Sequence, residues 1–274
     1  MTAKRGFENV RKAFKSKGDD TTFSRFVKVK IAPGEKKHLP RKQWKLPGID
    51  RGNSSIQAGR SLFHAKGVKS VAAVGRVLVS GHSNIKIGRD VRKGPFRGYW
   101  IYTLSLEERA TCPRSCHHWR TCYGNNMPYA KRVEHGPELE AALEREIPAL
   151  LGIRNRRGVL VRLHALGDFY SWGYVDFWRR MLALHPRLAV YGYTAHAPDS
   201  EIGRAVGAMN RAYPQRCFIR YSNGGLDTGC TVPIRSVDQA VNAIVCPEQT
   251  GKVDGCGKCG LCWQTPRNIA FIEH

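Results

Sequence analysis

Between residues 99 and 272 short apolar runs alternate with amphipathic stretches of helical period, and this alternation narrows what the chain can fold into more than any other feature. The runs fall at 99–106, 158–165, 188–193, 217–221, 243–245 and 268–272, and are rich in β-branched and aromatic residues. From the second run onward their starts recur at roughly 25 to 30 residues, the length of a strand with its crossover helix. Pro137 suits a first helical position, and Leu139, Ala142, Leu143, Ile147 and Leu150 mark one face behind it. Tyr174, Val175, Trp178, Met181 and Leu182 repeat the pattern up to His185-Pro186, as do Ile202, Ala205, Val206 and Met209 up to Pro214. Strands this continuously apolar belong to parallel sheets covered by helices. The expected fold class is α/β, a partial (β/α) barrel of about six parallel strands over 99–274, with a doubly wound sheet as the alternative.

Either architecture gathers the loops that follow the strands on one face, so reactive residues are sought there. The strand ends carry a cysteine loop, then Gly167-Asp168-Phe169-Tyr170-Ser171, Thr194-Ala195-His196, Ser222-Asn223 and Cys246-Pro247. Polar or sulfur chemistry stands at all five, which places a site at this face. Arg162 and His164 lie on the second strand, at positions expected to face the same pocket.

Cys112, Cys116 and Cys122 fall within eleven residues, spaced C-x3-C-x5-C. Thiolates need a metal or an opposite charge for stability, and three on one loop can ligate one centre. On a cubane iron–sulfur cluster three ligands leave one iron open to a cofactor or substrate; for zinc, His117 or His118 would complete the set. Cys246, Cys256, Cys259 and Cys262 form a second group among glycines that let the backbone wrap closely. Paired C-x2-C knuckles favour structural zinc, whereas consecutive C-x2-C-x2-C resembles iron–sulfur spacing. The two groups can also be read as feeding a single site. Cys217 and Cys230 stand apart, Cys217 as a core residue.

Charge is distributed unevenly. Of 45 Lys and Arg and 22 Asp and Glu, residues 1–97 hold 24 and 6, a balance of +18, while residues 98–274 hold 21 and 16, a balance of +5. Residues 1–50 read as a flexible basic arm and 51–98 as a small basic β element with hairpin chemistry around residues 84–103. Such an excess calls for a polyanion, and nucleic acid is the expected partner of the basic residues before 98. No run of about 18 apolar residues is present and the N-terminus lacks a secretory apolar core, so no membrane partner and a cytoplasmic location are expected. In a reducing compartment nine cysteines favour metal over disulfides.

The run Thr111-Cys112-Pro113 through Cys122-Tyr123-Gly124, together with residues 162–171, 191–194 and Cys246 to Cys262-Trp263, resembles a phage and prophage family, gene product eighty-eight, over roughly residues 84–274. That family is itself similar to the radical S-adenosylmethionine (β/α) barrels. The resemblance implies that Cys112, Cys116 and Cys122 hold a 4Fe–4S cluster whose open iron binds S-adenosylmethionine, in a bacterial or phage-infected host cell. Cys246, Cys256, Cys259 and Cys262 would hold a second cluster. Asp168 and Tyr193 are then the candidate catalytic residues, and Arg162, His164, Tyr170, Ser222 and Asn223 the candidate substrate or cofactor contacts. The expected activity is modification or repair of a base or nucleotide. Two alternatives stand beside it: zinc-dependent base exchange in the manner of the guanine transglycosylases, and a non-enzymatic nucleic-acid-binding protein with structural metal sites.

Overall fold

Four of the six apolar runs pair side by side in chain order. A computed structural model of the protein describes residues 53–273 except Ile85, Asn155, Asn223 and Gly225; the arm expected over residues 1–50 lies outside the described residues. Its strands are β1 (Val68–Lys69), β2 (Val79–Ser80), β3 (Tyr99–Ser105), β4 (Arg132–Val133), β5 (Gly158–Leu166), β6 (Leu188–Thr194), β7 (Cys217–Tyr221), β8 (Thr231–Ile234), β9 (Ala243–Val245) and β10 (Asn268–Ile272). Short helices α1 (Ser54–Gln57) and α2 (His64–Gly67) precede the main helices α3 (Pro137–Leu151), α4 (Trp172–Leu184) and α5 (Glu201–Ala212). Two single-turn helices, α6 (Cys256–Cys259) and α7 (Leu261–Gln264), come near the end.

The main sheet has the order β2-β3-β5-β6-β7, with β3, β5, β6 and β7 parallel and β2 antiparallel at the edge. This is a mixed α/β fold built on parallel sheets, but the main sheet is open and no barrel closes among the described residues. The order contains no reversal, so it is not doubly wound either. The periodicity places six strands together; instead β9 and β10 pair with each other in a separate parallel sheet of order β8-β10-β9. The reason lies between β7 and β9. That stretch supplies a strand and one 3-10 turn, Val237–Gln239, in place of the crossover helix that would return the chain beside β7. β8 escapes a reading by periodicity because Pro233 interrupts it, and it occupies a sheet edge, where a missing N–H is tolerated.

The helices form as their apolar periods dictate. Pro137 opens α3, and the Ser171 and Ser200 side chains accept from Tyr174 N and Gly203 N to cap α4 and α5. Their buried faces meet one side of the main sheet, joining Leu143, Ile147, Trp178, Met181 and Val206 to Val159, Val161, Leu163, Val190 and Ile219. Complete burial of such side chains contributes about 1.5 to 3 kcal/mol each. On the other side Ile101, Leu160, Ala189 and Tyr191 pack against Ile87, Val91, Phe96 and Trp263. One face of the sheet is therefore covered by helices, and the other by the basic hairpin and the second cysteine segment.

The hairpin expected around residues 84–103 is present in short form, with Val91 N on Tyr99 O at 2.9 Å, Ile101 N on Arg89 O at 2.8 Å, and Asp90 bridged to Trp100. No helix among the described residues is long and apolar enough to cross a membrane.

Candidate metal centre

The first cysteine group hangs from the C-terminal end of β3, where a strand with an apolar buried stretch gives way at once to Glu107, Glu108 and Arg109. All three side chains are buried and hydrogen-bonded, and the two carboxylates are also paired with cations. Glu107 accepts from Ser61 N at 3.0 Å, Arg60 Nη1 at 3.1 Å and, at 2.8 Å, faces His64 Nδ1. Glu108 accepts from Ser61 Oγ at 2.7 Å and forms a fork with Arg132, Nε to Oε2 at 2.6 Å and Nη2 to Oε1 at 3.1 Å. Arg109, at φ 65°, spans the cysteine loop, donating to Trp119 O at 2.9 Å and Asn125 Oδ1 at 2.6 Å. This network ties α1 and α2 to the loop, and nothing in the cysteine spacing announces it. Three consecutive charges directly behind an apolar strand were the available signal.

Cys112, Cys116 and Cys122 lie within electrostatic reach of one another, and Cys112 and Cys116 of Asp168. Burial, then the Asp168 carboxylate, holds the Cys112 thiol well above its ordinary range; burial, then Glu108, pushes Cys122 up to about 11. Asp168 itself is stitched in place. Its Oδ1 accepts from Phe169 N and its Oδ2 from Ala195 N, each at 2.7 Å, while its own N–H donates to Thr111 Oγ1 at 3.1 Å. Burial raises its pKa against the opposing pull of His196 and these hydrogen bonds. It does not cap α4, which Ser171 does; it joins the ends of β5 and β6 to the cysteine loop.

The second group draws on two stretches of chain. Cys246, Cys256, Cys259 and Cys262 line one pocket with Pro247, Glu248, Trp263 and Ile269. The stretch around α6 is held by backbone: Cys256 N donates to Lys86 O at 2.7 Å, Gly257 N to Ile87 O at 3.0 Å, and Arg92 N to Gly257 O at 2.8 Å. A Cβ at Gly257 would stand 2.3 Å from Asp90 O, so this approach requires glycine. Burial and the neighbouring Cys262 push the Cys256 thiol up to about 12, and burial also raises Cys259 and Cys262. The Tyr193 hydroxyl lies 3.0 Å from Cys262 Sγ and donates to it when the sulfur is a thiolate. Arg220, a cation within β7, donates to Cys262 O, Arg267 O and Thr265 O.

Arg162 connects the two groups. It lies within electrostatic reach of Cys256 on one side and, on the other, of Tyr123, which itself neighbours Cys122 and Cys112. Its ring contact is Tyr193, with the guanidinium 5.6 Å from the ring centre, and its Nε is buried without a hydrogen-bond partner.

Not every expected residue joins this face. The register of β5 against β3 shifts between Thr103 and Ser105, and past that irregularity His164 turns to the helix side. There its Nε2 meets Tyr174 Oη at 3.2 Å, its ring packs edge-on to Phe169, and burial lowers its pKa to about 3. Tyr170 also belongs to the helix layer, donating to Glu140 Oε1 at 2.7 Å and stacking on Tyr174 at 4.3 Å. Ser222 follows β7, its N–H on Thr194 O at 2.7 Å, and Asn223 lies outside the described residues.

All nine cysteines are free. Cys217 and Cys230 are buried in the main core, as expected for Cys217. Among the described residues no group of three or more His, Cys, Asp or Glu stands ready to hold a single metal ion.

An open, mostly parallel α/β sheet, with one thiol group on the loop behind β3 and a second packed on the face opposite the helices, defines the class. Residues 77–233 match the family model of gene product 88, and the chain, matched over more than half its length, belongs to that family. The match takes in the first cysteine group and Asp168 but ends before Cys246, so the second cysteine group lies beyond it. No curated protein and no solved structure matches the chain.

Proposed function

We propose that the protein is an iron–sulfur protein that acts on nucleic acid through radical S-adenosylmethionine-like chemistry. The observation that carries this is the convergence of Cys246 with Cys256, Cys259 and Cys262 around one pocket, from stretches separated in the chain. The donor set fits a sulfur-ligated metal group. Cys256, Cys259 and Cys262, whose burial disfavours the free thiolate, have Arg162, Lys86 and Arg220 nearby, cations that suit a centre of net negative charge. Tyr193 Oη adds a hydrogen bond to one sulfur, the kind of outer contact that tunes such centres.

In this reading Cys112, Cys116 and Cys122 would hold the reactive cluster, to which S-adenosylmethionine would bind, and the four later cysteines would hold an auxiliary cluster. When bound, such a cluster would supply the electron for reductive cleavage of that cofactor. The protein's own residues position and shield. Asp168 fixes the loop through Thr111 and the end of β6, and Arg162 sets a positive charge between the two groups.

Zinc remains the second reading for the later group, because four cysteines lining one pocket are also the residue types of a structural zinc site. Base exchange at Asp168 is disfavoured, since both its oxygens already accept backbone amides. Anaerobic purification decides between metals: the expected product is brown, absorbs near about 400 nm and contains iron and sulfide. A colourless protein with stoichiometric zinc ends the iron–sulfur reading. The reduced protein is then expected to form 5′-deoxyadenosine from S-adenosylmethionine, and none formed by an intact cluster removes that cofactor.

A further inference from the structure

The hairpin that covers the second cysteine group carries a dense set of cations. Lys86, Arg89, Arg92, Lys93 and Arg97 fall within twelve residues that contain one carboxylate, Asp90. Asp90 is shared by Arg89 at 3.4 Å and Arg92 at 3.2 Å, and Lys86 meets Glu248 at 3.1 Å. Among the described residues Lys93, Arg97 and Arg157 form no ion pair, and all three are exposed.

The start of β5 extends this set. Arg156 lies 3.9 Å from the centre of the Trp100 ring, and Arg89 lies 5.3 Å from the same ring. The Arg157 side chain crosses Gly98, where an added Cβ would stand 2.8 Å from its Cδ. Like charges gathered this closely repel, and a polyanion laid across them removes the repulsion. Arginine outnumbers lysine here, and its planar fork matches phosphate oxygens.

We infer that the hairpin 86–98 and the start of β5 form a surface on which successive backbone phosphates of a nucleic acid lie. The inference rests on the nucleic-acid part of the proposed function and gives that partner a place on the folded domain. The hairpin is bonded through Lys86 O, Ile87 O and Arg92 N to the Cys256 stretch, so a strand bound there runs beside the second cysteine group.

The test is fluorescence anisotropy of a labelled single-stranded DNA oligonucleotide, its duplex and the matching RNA with the anaerobically purified full chain, over a series of salt concentrations. The double reversal R97E/R157E is expected to weaken binding and to flatten the slope of log affinity against log salt by about 0.7 to 0.9 for each phosphate no longer neutralised. R211E, on an exposed residue in the last turn of α5, is expected to leave that slope unchanged. Wild-type affinity and slope in R97E/R157E overturns the inference, as does an equal weakening in R211E, because net charge alone then explains binding. R97Q/R157Q guards against a folding defect: with iron content and near-ultraviolet circular dichroism as in the wild type, it must show the same flattening. A protein that binds none of the three probes refutes the nucleic-acid reading itself, whatever metal it holds.

Discussion

The first cysteine group lies on one continuous loop braced by buried charge, whereas the second joins two stretches of chain braced by backbone hydrogen bonds and apolar packing. The first carries its own framework: Glu107, Glu108, Arg109 and Arg132 satisfy their charges within the loop and its neighbours and would hold the loop whether or not metal is bound. Among the described residues the second has only exposed or partly exposed ion pairs, Lys258 with Asp254 and Lys86 with Glu248. Its thiols are brought together by the Lys86 to Arg92 segment and by Trp263 in the core, so a bound metal group would itself contribute to holding the pieces together. A sulfur site can thus be set in place in advance by ion pairs or be left for its ligand to complete, and on the proposed function the first group would be of the former kind and the second of the latter.

The largest expected effect breaks the first framework. Arg132 is fully buried, so Arg132→Met leaves the Glu108 carboxylate uncompensated and should cost about 3 to 5 kcal/mol in denaturant unfolding. Lys86→Met removes the partly exposed pair with Glu248 and should cost at most about 1 kcal/mol. Equal destabilisation by the two would erase the contrast between the regions.

Metal removal separates the groups next. Cys116→Ser and Cys259→Ser should each lower bound iron by about half, one cluster's share. Only Cys259→Ser should open residues 246–262 to limited proteolysis, because only there would a bound metal group join separate stretches of chain. Protection of that segment in the iron-depleted protein counts against the contrast.

Acid sensitivity distinguishes the helix side of the sheet from both groups. The folded pKa of His164 is lowered to about 3 from the ordinary value of 6.5, so its contribution is complete above 6.5 and is lost as pH falls toward 3. Between those values the unfolded chain takes up a proton that the folded chain refuses, and stability should fall by up to about 1.4 kcal/mol per pH unit. His164→Gln should flatten that slope; the same slope in the variant assigns the acid sensitivity elsewhere.

The smallest effect is expected at Tyr193. Tyr193→Phe deletes one hydroxyl–sulfur hydrogen bond and should cost about 0.5 to 1.5 kcal/mol with iron content unchanged. Loss of the iron would make Tyr193 part of the binding framework rather than an outer contact of Cys262.

Much of the architecture was legible from residue order. The faces of α3, α4 and α5 follow from Leu139 to Leu150, Tyr174 to Leu182 and Ile202 to Met209, because a helix buries whatever its period aligns. The two cysteine groups and Asp168 were likewise visible from spacing and from their place behind strands. His164 and Tyr170 were not, since a local irregularity in β5 and the stacking of Tyr170 on Tyr174 turn them toward the helices. β8 was hidden by Pro233, and the bracing role of Glu108 and Arg132 by their separation of 24 positions along the chain.

By itself, then, the amino-acid order determined the repeated β/α elements, the parallel pairing of the first four long strands and the grouping of the thiols, all of which depend on near neighbours along the chain. Only the tertiary structure decided that the last two strands form a separate sheet and that Arg162 stands between the groups. These outcomes depend on where a connection lacks a helix and on which distant side chains can share burial, and no local pattern encodes either.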